Sequence, residues 1–211
     1  MKYAVVSLHD RTYAELGRVT WANKLDYCKR HGYGAFCKTE GFGDNIYYEK
    51  LYQLISVLEG NRDLEWVWWI DCDAIVTNYA KRIEDFVDGA SHIIMATDFN
   101  ALNSGSFFVR NSAEGLGWLR DMAAMKNRPE YQPARCLWPE QQPMINTYIK
   151  YQRLFRIVPQ RAINSNPRFN SPDLLGTPGK WQPGDWIMHA PAMSNAGRIA
   201  LFAAVEPHIV R

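Results

Sequence analysis

The chain has 211 residues, 47% of them hydrophobic and 22% charged, with 24 Lys and Arg against 22 Asp and Glu for a net charge of +2. That balance excludes a disordered, collagen-like or coiled-coil chain, and it gives no electrostatic footing to nucleic-acid binding. The length suits a single domain with a core of its own and no need of staples.

In chain order, Ala4 to Leu8 reads as a buried strand, and helical character runs from about Tyr13 to Arg30, stopping at His31-Gly32. A second strand is predicted from Tyr33 to Cys37. An amphipathic helix follows over 45–59, where Ile46, Leu51, Leu54, Ile55 and Leu58 recur at spacings of three and four. Trp66-Val67-Trp68-Trp69-Ile70 is unbroken apolar sequence, the pattern of a central strand covered on both faces. Further strands are expected at His92 to Ala96, Gly105 to Arg110, Phe155 to Val158 and Asp185 to His189. Helices are expected near 79–88, 112–126 and 139–151. Residues 160–184, rich in Pro, Gly, Asn and Ser, read as a long loop. The alternation predicts an α/β fold with a mostly parallel central sheet flanked by helices. The four cysteines, Cys28, Cys37, Cys72 and Cys136, fit no zinc spacing and read as reduced thiols. No apolar run reaches the roughly 20 residues that span a bilayer, and no signal-peptide pattern is present, so a cytoplasmic setting without a membrane anchor is expected.

Asp71-Cys72-Asp73 directly follows the apolar run. In α/β sheets ligands bind beyond the carboxyl ends of strands, and two carboxylates at i and i+2 there can reach one hard cation. Mg²⁺ or Mn²⁺, which bridge phosphates, suit such oxygen ligands. A solvated turn or a helix cap is the bland alternative. Two enzyme classes put this motif at a strand end. The haloacid-dehalogenase type of phosphatase is partly mimicked by Asp71 to Thr77, but its motif follows the first strand, and Gly184-Asp185 lacks the family's second acid. The nucleotide-sugar glycosyltransferases of GT-A type place theirs mid-domain. A third reading, a non-catalytic carbohydrate-binding module, draws on the eight tryptophans.

Several segments match one family in order: Asn23-Lys24 with Tyr27 and His31-Gly32-Tyr33; Glu49-Lys50; Trp66 to Ile70 with Asp71 to Ala74; Leu102 to Phe107; Glu140-Gln141; and Gly184 to His189. Across residues 20–195 the chain resembles the family 34 glycosyltransferases, the retaining galactosyl-, mannosyl- and xylosyltransferases of fungi and plants. It departs from them in lacking an N-terminal anchor, in its shortness, and in having Ala190-Pro191-Ala192 after His189.

The resemblance implies a GT-A fold over 1–211, with a nucleotide-binding half at about 1–100 and an acceptor-side half at about 101–211. It implies a UDP-sugar donor, either UDP-glucose-like or a UDP-deoxyhexose, a glycan acceptor and Mn²⁺ or Mg²⁺. His189 would be the third metal ligand beside Asp71 and Asp73. Ser7, Leu8 and Tyr13 would meet uracil and ribose. Lys24, with His31 and Tyr33, would flank the nucleotide or diphosphate, and Cys72 of the acidic motif would belong to the same binding site. The loop cations Arg198 and Lys180 would neutralise phosphate. Asn103 and Ser104 would meet the sugar, Asn103 offering both a donor and an acceptor, with Asp98 and Asn100 facing the same pocket. Glu140 and Gln141 would lie against the reacting carbon, and Asp98 is a third catalytic candidate. For Glu140 the competing reading is an acid at a helix N-terminus with only a dipole role.

Overall fold

The computed structural model describes all residues, 1–211. In chain order the elements are β1 (Tyr3–Leu8), α1 (Ala14–His31), β2 (Gly34–Lys38), α2 (Ile46–Gly60), β3 (Trp66–Ile70), β4 (Ala74–Val76), β5 (Ile93–Asp98), β6 (Ala101–Arg110), α3 (Ala113–Ala123), α4 (Gln141–Tyr151), β7 (Phe155–Val158), α5 (Gln160–Ile163), β8 (Ile187–His189) and α6 (Asn195–Val205). Six strands form the main sheet in the order β2-β1-β3-β6-β5-β7, and β4 pairs with β8 in a separate ribbon. β1 runs parallel to β2 and β3, and β5 to β7, while β6 runs antiparallel to both β3 and β5.

All five residues of β3 are buried, and the period-two pleat divides them between two cores. Val67 and Trp69 face α2 and α3 with Tyr48, Leu51, Leu54 and Trp118. Trp66, Trp68 and Ile70 face α1 and β8 with Tyr27 and Trp186. Trp186 stacks on Trp68 with ring centroids 4.4 Å apart. The tryptophan excess is therefore mainly core. The helix α1 ends at Gly32, whose φ of 70° is the left-handed C-terminal stop that its sequence signalled.

Four expectations change. The helix foreseen over 79–88 is only a single 3-10 turn, Ile83–Asp85. A strand, β4, follows the acidic motif directly, where no strand was foreseen. The strand expected from Gly105 begins at Ala101, so Asn103-Ser104-Gly105 lies inside β6 rather than in a turn. The long loop over 160–184 opens with the short α5, and its ends are pinned by bridges from Ser165 to Met188 and from Asn166 to Lys180. No disulfide joins the four cysteines.

This topology decides where the site lies. Because β6 is antiparallel to β3, its early residues sit beside the carboxyl end of β3: Ile70 pairs with Ser106, and Asp71 N–H donates to the Gly105 carbonyl at 2.8 Å. The β4-β8 ribbon then places His189 opposite Ala74. No helix is long and apolar enough to cross a membrane.

Candidate functional site

A cavity of about 520 Å³ opens over the carboxyl ends of β1 and β3. Asp71, Asp73 and His189 converge on its floor, with one potential ligand atom from each lying within 4.8 Å of the others. His189 Nε2 is 3.3 Å from Asp73 Oδ1 and 3.9 Å from Asp71 Oδ2. Gly105 makes room for that ring. A Cβ built there would sit 2.1 Å from His189 Cε1.

The surrounding charges are arranged around this trio. Trp69 Nε1 donates to Asp71 Oδ1 at 2.7 Å, and Lys50 Nζ lies 3.1 Å from the same oxygen. Arg198 Nη2 pairs with Asp73 Oδ2 at 2.8 Å. Burial, then the like charge of Asp73, pushes the Asp71 carboxyl above its ordinary range against the pull of Lys50. Burial would raise Asp73 too, but the charge and hydrogen bond of His189, with Arg198, outweigh it and hold Asp73 low. Burial would lower His189, and Asp73 and Asp71 more than reverse it. Two carboxylates and an imidazole facing one another at this separation form a donor set suited to a hard divalent cation. The residues present therefore fit the metal that the sequence implies.

Beside the trio lies a second, buried network. Lys50 Nζ donates to the Ser104 carbonyl at 3.0 Å, to Ser104 Oγ at 3.1 Å and to Glu140 Oε1 at 3.0 Å. Ser104 Oγ donates to Glu140 Oε1 at 2.9 Å, and Ser104 N–H to Gln141 Oε1 at 2.8 Å. Glu140 sits at the N-terminus of α4 yet its side chain caps nothing there. Its Oε2 is buried with no partner. The dipole of α4 still acts on this acid, but the carboxylate turns to Lys50 and makes no hydrogen bond to the helix end.

The sequence-derived residues sort into three groups. Leu8, Tyr13, Asp71, Cys72, Asp73, Asp98, Asn100, Asn103, Ser104, Glu140, Gln141 and His189 all line the cavity. Ser7, Lys24 and Arg198 are buried just outside its lining. Lys24 Nζ has no hydrogen-bond partner, and burial lowers its basicity. Arg198 is engaged by Asp73 and by the Ala190 carbonyl, at 2.9 Å from its Nε, which takes it from a phosphate role. The third group lies elsewhere. His31 Nε2 meets the Tyr79 carbonyl at 2.8 Å, Tyr33 hydrogen-bonds Glu84, and Lys180 is exposed on the loop, so none of these flanks the cavity. Asn103 also changes role. Its Oδ1 already accepts from Gly105 N–H at 2.9 Å and from Asn164 Nδ2 at 2.7 Å, leaving only an amide N–H for a ligand.

Lys50, Trp69, His9, Asp10, Trp138 and Phe169 line the cavity without having been singled out for it. Lys50 carried a readable signal, a cation one residue before Leu51 and four before Leu54 on the apolar face of α2. Trp138 and Phe169 lie in irregular segments, where periodicity offers none.

A profile of the galactosyl transferase GMA12/MNN10 family matches residues 8–89. A probable glycosyltransferase 7 of Oryza sativa subsp. indica is 31% identical over 122 residues, covering 52% of this chain and 27% of that protein. The α-1,2-galactosyltransferase of Schizosaccharomyces pombe is 26% identical over 186 residues, covering 68% of this chain and 48% of that protein. The chain thus spans between about a quarter and a half of the length of these curated relatives. Among solved structures, a glycosyltransferase involved in glycosylation of the major capsid of PBCV-1 superposes with a TM-score of 0.76 at 17% identity, covering 97% of this chain and 100% of that one. A mutant Drosophila β1,4-galactosyltransferase 7 in complex with manganese, UDP-Gal and xylobiose gives 0.53 at 11% identity, covering 94% and 74%.

The fold is that of the GT-A glycosyltransferases. Within that class the sequence is similar, over residues 8–89, to the galactosyl transferase GMA12/MNN10 family.

Proposed function

We propose that the chain is a metal-dependent glycosyltransferase that moves a hexose from a UDP-sugar to a glycan hydroxyl with retention of anomeric configuration. The observation that carries this reading is the convergence of Asp71, Asp73 and His189 on the floor of a cavity whose adjoining wall is the Lys50–Ser104–Glu140–Gln141 network. The solved galactosyltransferase with manganese and UDP-Gal supports the choice of cofactor and donor. Mn²⁺ or Mg²⁺ held by Asp71, Asp73 and His189 would supply the positive charge that a departing diphosphate requires.

The chain's own residues divide the remaining work. Leu8, Asp10 and Tyr13, at the end of β1, form the side for uracil and ribose. Lys50 holds Asp71 and Glu140 in one fixed arrangement and keeps the two acids from repelling each other. Gln141 Oε1 is held by Ser104, which leaves its amide N–H groups for the donor sugar, and Glu140, whose Oε2 is buried without a partner, would act on that sugar through its charge. Asp98 is a positioning group in this scheme, since Asn100 N–H (2.6 Å) and Asn103 Nδ2 (2.7 Å) occupy its two oxygens. Trp138, Phe99 and Phe169 give the opposite rim apolar faces for a glycan acceptor. The nucleotide side thus comes mainly from residues 1–100 and the acceptor side mainly from 101–211. The phosphatase reading fares worse, because its motif belongs after the first strand and this one follows the third.

The test is incubation with a panel of nucleotide sugars, Mn²⁺ and oligosaccharide acceptors, with product linkage read by NMR. Transfer from a UDP-hexose that stops with chelator is expected, and the new bond should keep the donor's anomeric configuration. Phosphate release without transfer, or glycan binding unaffected by D71N, would overturn the reading.

A further inference from the structure

A chain of side-chain amides runs from Asp98 to His189, and its polarity is set at both ends. Asp98, 7% exposed, is acceptor-only when ionised. Its Oδ2 therefore takes the Nδ2 of Asn103 at 2.7 Å, which turns Asn103 Oδ1 the other way. There a backbone donor that cannot reverse, Gly105 N–H, meets Oδ1 at 2.9 Å and fixes the same orientation independently. Asn164, 1% exposed, must then present Nδ2 to Asn103 Oδ1, at 2.7 Å, and Oδ1 to His189 Nδ1, at 2.8 Å. An amide oxygen only accepts, so His189 Nδ1 must carry the ring proton. The ring's hydrogen bond to Asp73 is then made by Nε2–H of the protonated imidazole, and in the neutral ring the lone pair lies on Nε2, the atom facing Asp71 and Asp73.

The geometry points to Asp98, Asn103 and Asn164 as a relay of positioning residues that fixes the Nδ1–H tautomer of His189 and so presents Nε2 as a ready ligand. Metal-bound histidines characteristically donate their other N–H to such a partner, and loss of that partner lowers metal affinity by about 10- to 100-fold. The relay explains why Asp98 and Asn103 sit at the site with their polar atoms largely spent on each other. It also gives Asn164, one residue past the end of α5, a role that sequence alone did not reveal. The inference rests on the metal site proposed above, but its first test needs no metal.

In the metal-free wild-type protein, at a pH where the ring is neutral, long-range ¹H–¹⁵N NMR should show His189 protonated at Nδ1. In Asn164→Leu, which keeps bulk and removes both hydrogen bonds, Asp73 is the nearest acceptor left beside the ring, so the neutral ring should shift to the Nε2–H tautomer, and Mn²⁺ affinity by calorimetry should fall about 10- to 100-fold. An Nε2–H tautomer in the wild type would overturn the relay, whether or not the variant folds. So would an unchanged tautomer and Mn²⁺ affinity in a folded Asn164→Leu. If the wild type shows the Nδ1–H tautomer but binds no Mn²⁺, the relay stands and the metal reading fails.

Discussion

Gly105 and His189 are an interlocking pair, with the missing side chain of one forming the seat of the other. A Cβ at 105 would overlap the imidazole at 2.1 Å from Cε1, and the ring's fixed neighbours leave it little room to yield. Gly105→Ala should therefore displace His189, lowering Mn²⁺ affinity tenfold or more at an overpacking cost of about 1–3 kcal/mol. Calorimetry and a denaturant melt on the same variant check both numbers. Wild-type Mn²⁺ binding by Gly105→Ala would remove His189 from the ligand set. At this scale the site was partly legible. Asp71 and Asp73 stood out because two acids follow five buried apolar residues, and His189 because it ends a strand-like run beside a familiar Gly-Asp-Trp segment. Lys24 misled. Its place in a family motif suggested the diphosphate, yet it lies buried beneath the acidic loop, just outside the cavity lining. Asn164 was illegible, since nothing local distinguishes an Asn whose partners are 61 and 25 residues away.

The three-residue strand β4 depends on a helix for half of its pairing. Val76 N–H donates to Asn23 Oδ1 at 2.8 Å, and Asn23 Nδ2 donates to the Val76 carbonyl at 3.0 Å. The side-chain amide of α1 thus takes the place of a neighbouring strand along the free edge of the ribbon. This accounts physically for the Asn of the Asn23-Lys24 motif, which holds the strand that directly follows Asp71-Cys72-Asp73. Asn23→Leu would strand both buried backbone groups and should cost about 2–4 kcal/mol, read as a lower urea midpoint. A cost under about 0.5 kcal/mol would mean that the ribbon is held by β8 alone. The longer elements were legible from periodicity: α1, α2, β1 and β3 fall close to their expected bounds. β4 was not, because three residues are too few to show alternation. The supposed helix over 79–88 fails because its apolar residues are claimed separately. Tyr79 packs against Tyr27, and Phe86 stacks on Trp186 at 4.4 Å.

Across the whole molecule, one half-buried tether ties the segment before β5 to the edge strand β7. Asp88 Oδ1 accepts from Ala90 N–H at 2.9 Å and Ser91 N–H at 2.6 Å, and Oδ2 accepts from Arg156 Nη1 at 2.7 Å. Burial alone would raise its pKa, but these donors outweigh burial and bring it from 3.8 to about 2. A folded-state pKa below the unfolded value stabilises the protein above the unfolded pKa and ceases to as pH falls through the folded one. Asp88→Asn should therefore be less stable than wild type at neutral pH, by on the order of 1 kcal/mol after discounting for solvent screening. That gap should close between about pH 4 and pH 2. Denaturant titrations of both proteins across that range would show it, and a gap independent of pH would assign the effect to packing. The α/β class and the central place of β3 were legible at this scale. The antiparallel entry of β6 was not, because strand direction is set by contacts distant in sequence, and it is this entry that brings Asn103, Ser104 and Gly105 beside Asp71.

In the proposed function, Asp71, Asp73 and His189 form a cation site that holds a nucleoside diphosphate. Calorimetric titration of UDP into the wild-type protein, with Mn²⁺ and again with excess chelator, tests it most directly, with D71N as the matched variant. UDP should bind with Mn²⁺ present, and chelator should weaken that binding at least tenfold. In folded D71N, where Lys50 keeps its contacts to Glu140 and Ser104, the Mn²⁺-dependent part should be lost. UDP affinity indifferent to Mn²⁺ in the wild type, or a D71N protein that binds UDP with undiminished Mn²⁺ dependence, would contradict the account.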